Sequence, residues 1–155
     1  MKNEPAFVSF RRNKEGYNAS IAIDEFFSSN ENLESLLNEA STLYGSSISK
    51  MLASINSITA FRTSRRPVPA RKVWELGDLI FELVNQLNRL SLQIDGIYDH
   101  LERDLNVKRK WLEKVIIFRR YIPEERMIPE HLNWGKCEKG TRRAAEMIQK
   151  GIFPH

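Results

Sequence analysis

The sequence predicts a mainly α-helical fold, a bundle built on one long central helix with a small N-terminal β-hairpin or arm. Two observations carry that reading. Val73, Leu76, Ile80, Leu83, Leu87, Leu90, Ile94, Ile97 and Leu101 recur at spacings of three and four, an apolar stripe down one face of a helix over 70–105. Leu33, Leu36, Leu37, Ala40, Leu43 and Tyr44 repeat the same period upstream. At 155 residues, 41% apolar and 28% charged, the chain has ordinary globular composition and the length of one domain with a modest core. It divides into a hairpin or arm over 1–28 and a helical domain over 29–155.

In chain order, residues 6–11 and 17–23 are short β-prone runs joined by Asn13-Lys14-Glu15-Gly16, where Gly16 suits a positive φ in a hairpin turn. Two strands are marginal in water alone, so the hairpin must pack on the helices or pair with another subunit. A helical hairpin is expected over 29–61, capped by Ser29 or Asn30 and broken at Gly45-Ser46, with Ile48, Met51, Leu52, Ile55 and Ile58 on its second arm. Residues 62–70, with Pro67 and Pro69, read as an extended basic linker.

The long helix fits two architectures. Its heptads place Val73, Ile80, Leu87, Ile94 and Leu101 at a and Leu76, Leu83, Leu90 and Ile97 at d, the pattern of a two-stranded coil and hence of a homodimer through the 73–101 stripe. The flanking positions lack paired charges, and Trp74 and Phe81 widen the apolar surface, which favours an intramolecular bundle. Gly96, at a cost of about 1 kcal/mol against Ala, is where such a helix would bend, leaving residues 97–104 as a separate short helix.

The formal charge is only +4, but it is segregated. Arg62, Arg65, Arg66, Arg71 and Lys72 give +5. Residues 106–120 give another +5, and residues 75–104 give −5. This describes either one basic working face, suited to nucleic acid, or acidic and basic helices that neutralise each other across a bundle.

Leu101, Leu105, Asn106, Val107, Leu112 and Val115 stand at the spacing of a unit that resembles a helix-turn-helix DNA-binding motif, with Asn106 as the turn residue of positive φ. The resemblance spans about 97–121 and implies a recognition helix over 108–121 whose Lys108, Arg109, Lys110 and Lys114 meet phosphates or base edges of duplex DNA. Glu102 departs from the pattern, which usually has a small residue after the first apolar position. The second helix is also more apolar than a groove-docked helix normally is. More loosely, Trp74-Glu75-Leu76-Gly77, residues 101–105 and residues 118–123 are similar to the helical domain that precedes restriction-type nuclease cores. No such core is present in this sequence, so that likeness implies at most a binding role.

After Pro123 and Pro129 an irregular stretch leads to a short helix starting near Thr141. Arg142 and Arg143 at its N-terminus read either as a second phosphate contact, alongside Arg65 and Arg66, or as partners of Glu138 and Glu146. Trp134 reads either as a stacking platform or as a core plug. No catalytic constellation stands out. Asp95, Asp99 and Glu102 with His100 form a solvated acidic face, and lone Cys137 beside Lys136 and Lys139 lacks a spaced histidine partner. No metal, cofactor or disulfide is expected, and neither a membrane span nor a signal peptide is recognisable, so a reducing cytoplasm is the expected setting. The functional expectation is a non-catalytic DNA-binding protein, with a helical interaction module (an adaptor, antitoxin-like partner or assembly subunit) as the alternative. That module would use the apolar stripe or Trp74 and Phe81.

Overall fold

The computed structural model describes residues 6–21 and 32–154. The proposed cap at Ser29 or Asn30 and the end of the second β-prone run lie outside them. Strand β1 (Ala6–Asn13) pairs antiparallel with β2 (Gly16–Ile21) through a tight turn in which Gly16 has φ +145°. The hairpin is therefore as expected. A third strand, β3 (Leu92–Ile94), pairs parallel with β1 and makes the order β2-β1-β3. The outer edge of β2 is covered by a helix: the Ala19 amide donates to Ser41 Oγ at 2.8 Å, and that hydroxyl donates to the Leu37 carbonyl at 2.8 Å.

Helix α1 (Leu33–Thr63) is one continuous rod of 31 residues, not the helical hairpin expected over 29–61. Tertiary packing overrides the Gly45-Ser46 signal, because Tyr44, Ser47 and Ile48 on either side are buried in the core. Gly45 instead makes room for the hairpin: a Cβ there would lie 3.5 Å from the Tyr17 ring. Several hydroxyls along the rod donate to the carbonyl four residues back, among them Thr42 to Asn38 and Thr63 to Thr59, so these polar side chains are satisfied within the helix, which is held by the packing of its buried face. The rod ends in a Schellman motif, with Arg66 N–H on Phe61 O and Arg65 N–H on Arg62 O, and Arg65 takes φ +55°. The basic linker thus starts later than expected, and Arg62 is helical.

The predicted long helix is three elements: α2 (Ala70–Arg89), β3, and α3 (Ile97–Leu105). Ser91 at φ +58° ends α2, and Gly96 at φ +73° starts α3. Between them burial alternates, with Leu92 and Ile94 inside and Gln93 outside, so period two replaces the helical period. The longest helix is therefore α1. Most of the stripe, from Val73 through Leu87, and then Ile94 and Leu101, is buried within this single chain and is not a surface for a second copy.

Asn106 at φ +54° links α3 to α4 (Arg109–Tyr121), as its side chain allows. The C-terminal segment wraps back through three single turns of 3₁₀ helix to α5 (Thr141–Gln149). Residues 68–70 run beside 132–134, with Trp134 N–H on Val68 O at 2.7 Å and Ala70 N–H on Leu132 O at 2.8 Å.

Two polar clusters lock the packing. In the first, Phe10 stacks on Tyr44 at 4.1 Å, Tyr44 O–H donates to Asp104, and Arg103 grips the same carboxylate while donating to Phe10 O. Burial alone pushes the Asp104 carboxyl up, but hydrogen bonds from Arg103 and Tyr44 outweigh it and hold it below the ordinary aspartate value. His100, 6% exposed, accepts from Phe10 N–H at Nε2, and Nδ1 lies 3.0 Å from Gly96 O. That pair of partners requires the neutral tautomer with its proton on Nδ1. In the second cluster Arg119 of α4 lies over Trp74 and Phe81 of α2, at 4.9 and 4.8 Å, and bonds Asp78 at 2.9 Å. Gly77 allows this crossing, because any Cβ there would stand 2.6 Å from Arg119 Cβ.

Candidate nucleic-acid interface

Helix α4 is amphipathic, and its fate follows from that. Leu112, Val115, Ile116 and Phe118 are buried against α2 and α5, which leaves the first turn and one flank for other work. On that flank Lys108, Lys110, Trp111 and Lys114 line, with Ile55, Ile58, Thr59 and Arg62 of α1, a groove of about 660 Å³ that Glu138 also borders. Positions 55, 58, 59 and 62 share one face of α1, so the helical continuity of that rod is what brings Arg62 here. Inside the groove the Arg62 guanidinium lies 5.7 Å from the Trp111 ring centroid. Arg62 and Glu138 also border a second hollow of about 420 Å³, lined further by Lys136, Trp134 and the 67–68 connector. The two hollows share Arg62 and Glu138, and the linings of this trough together hold five cations and one carboxylate.

The first turn of α4 adds to the positive potential. Its N-cap residue, Lys108, makes no side-chain cap, the turn holds no acid, and the first intrahelical bond is Leu112 N–H to Lys108 O.

Not every expected residue joins the trough. Arg109 turns away to Asp99 at 3.8 Å, Glu113 at 3.7 Å and the Tyr98 ring at 4.9 Å, so it neutralises neighbouring helices. Arg142 pairs with Glu146 at 3.2 Å and lies over Tyr121, about 15 Å along α4 from Trp111 at 1.5 Å per residue. Arg143 is exposed beside it on α5. Arg65 and Arg66 are exposed just beyond Arg62, with Arg66 over the Phe61 ring at 4.7 Å, and neither lines the trough. Lys108, Lys110 and Lys114 line the same groove, whereas Arg109 and Arg119 pair with acids, as the neutralising alternative expects of them. Sequence reasoning missed Arg62, assigned to a linker, and Trp111, counted only as an apolar residue.

No protein-family model, curated protein or solved structure matches this chain. The remaining candidates are resolved by geometry. Trp134, 2% exposed and edge-on to Phe118 at 5.2 Å, is a core plug. Cys137 is buried, and burial pushes its thiol up to about 11, which overrides the adjacent lysines. Among the described residues no group of His, Cys, Asp and Glu is arranged to hold a metal ion, and no helix is long and apolar enough to cross a membrane. Trp74 donates to Ile122 O at 2.8 Å, and Arg119 lies over the half-buried Phe81 ring, so both residues of the expected interaction surface also make contacts within the chain.

Proposed function

We propose that this protein binds nucleic acid without catalysing a reaction on it, through the groove between α1 and α4. The observation that carries this reading is the convergence of Lys108, Lys110 and Lys114 with Arg62 on one recess beside the uncapped first turn of α4. Such a surface suits phosphate oxygens: ammonium and guanidinium groups supply charge, and helix N–H groups supply oriented donors. The resemblance to a helix-turn-helix unit agrees only in assigning the contact to the N-terminal end of α4.

The test is fluorescence anisotropy with labelled DNA of about 20 nucleotides, single-stranded and duplex, titrated between about 50 and 200 mM salt. Neutralising about three phosphates gives a log–log salt slope of about −2 to −3, depending on the strand form. Replacing Lys108, Lys110 and Lys114 together by Gln is expected to flatten that slope and weaken binding at low salt. Absence of binding at the lowest salt refutes the proposal.

A further inference from the structure

We infer that the trough takes a single strand in preference to a duplex, with a base stacked at Trp111. This rests on the nucleic-acid reading above and specifies its ligand. The first argument is shape. To enter a major groove about 12 Å wide, a helix must stand proud of its neighbours. Helix α4 instead forms one wall of a recess whose other wall is α1, and its inner face is packed on α2 and α5. Lys108, Lys110 and Lys114 consequently line a channel and do not crown a ridge. One sugar–phosphate chain fits along such a channel, whereas the second strand of a duplex would collide with its rim.

The second argument is the aromatic. Trp111 is half-buried among these cations, and the Arg62 guanidinium lies within cation–π reach of the ring, 5.7 Å from its centroid. Arg62 is itself exposed, so a base can take the position over the indole while the guanidinium moves to a phosphate. Stacking of this kind needs an unpaired base with a free π-face, which a duplex interior does not offer. The neighbouring hollow, which shares Arg62 and Glu138 and adds Lys136, extends the run of cations.

The experiment compares oligo(dT), oligo(rU) and a duplex of equal length against the full chain by anisotropy, alongside quenching of the protein's own tryptophan fluorescence. Trp74 and Trp134 are buried, so quenching reports Trp111 among the three tryptophans. Both single strands are expected to bind about tenfold or more tighter than the duplex and to quench. Trp111→Ala is expected to lose about tenfold on single strands and little on the duplex. Trp111→Phe keeps a ring in the packing and guards against loss of fold: it should bind within a few-fold of the parent yet show no quenching. Tighter binding of oligo(dT) over oligo(rU), or the reverse, identifies the source of the strand and supports the inference equally. A duplex bound as well as or better than the single strands, or single-strand affinity unmoved in folded Trp111→Ala, overturns it. If the lysine variants weaken such a duplex complex, the nucleic-acid reading stands without this inference. If no nucleic acid binds, both fall.

Discussion

Substituting Gly77 by Ala should destabilise the protein although Ala is the better helix former. In an unconstrained helix the change contributes about 1 kcal/mol of stability. Here the added methyl would lie 2.6 Å from Arg119 Cβ and 3.0 Å from Val115 O. Both are stiff groups on α4, not the far end of a flexible chain. Ordinary carbon contacts lie at about 3.5–4.0 Å, so the two helices must separate by about 1 Å. Overpacking of this kind costs about 1–3 kcal/mol. Separation also lifts Arg119 from Trp74 and Phe81, and each lost cation–π contact adds about 0.5–1 kcal/mol. The clash outweighs the propensity gain, for a net loss of about 2 kcal/mol and a Tm lower by about 4–8 °C for a chain of this size. Urea denaturation followed by circular dichroism measures it, with Gly135→Ala as the control, since a Cβ there meets nothing within 4 Å. A Gly77→Ala variant as stable as the parent would refute the crossing as described.

Three further outcomes follow from the buried clusters. Tyr44→Phe preserves the stack on Phe10 but removes a donor to a carboxylate, at a cost of about 2 kcal/mol in chemical denaturation. Because the Asp104 carboxyl is held below its ordinary value in the folded state, its stabilisation is complete above about pH 4 and is lost as pH falls through the lowered value. The stability advantage of the parent over Asp104→Asn should therefore shrink between neutral pH and pH 3, as measured by urea midpoints. Cys137, with its thiol pushed up to about 11 by burial, should react with a thiol reagent at neutral pH only as fast as the protein opens, a rate that urea accelerates.

What could be read from the sequence was whatever local chemistry decides. Gly16 and Asn106 mark positive φ through their own conformational preferences, so the hairpin and the α3–α4 turn were legible. Gly45 was misread because a glycine that stops a helix and one that admits a neighbouring ring look alike in a sequence, and here Tyr17 decides between them. Ser91 also takes positive φ but is a poor marker of it. The alternation from Ser91 to Asp95, bounded by Gly96, was the signal for β3, hidden because Ile94 also continues the helical stripe. At the candidate site Lys108, Lys110 and Lys114 were found as a basic run. Separating them from Arg109 required knowing that Asp99 and Glu113 sit beside it. Arg62 and Trp111 are 49 residues apart in sequence, and only the packing of α1 near the α3–α4 turn makes them neighbours.

The parallel pairing of β1 with β3 has a consequence for how the chain is made. Ala6 finds its register partner at Leu92, and the Phe10 amide finds its acceptor at His100. At a synthesis rate of about 5–20 residues per second, the hairpin therefore waits on the order of 4–15 s after it is made for the strand that completes its sheet. During that interval Val8 and Phe10, which end up among the most deeply enclosed side chains, have only α1 to shelter them. Closure of the sheet therefore belongs to the late part of folding, after α2 has been released.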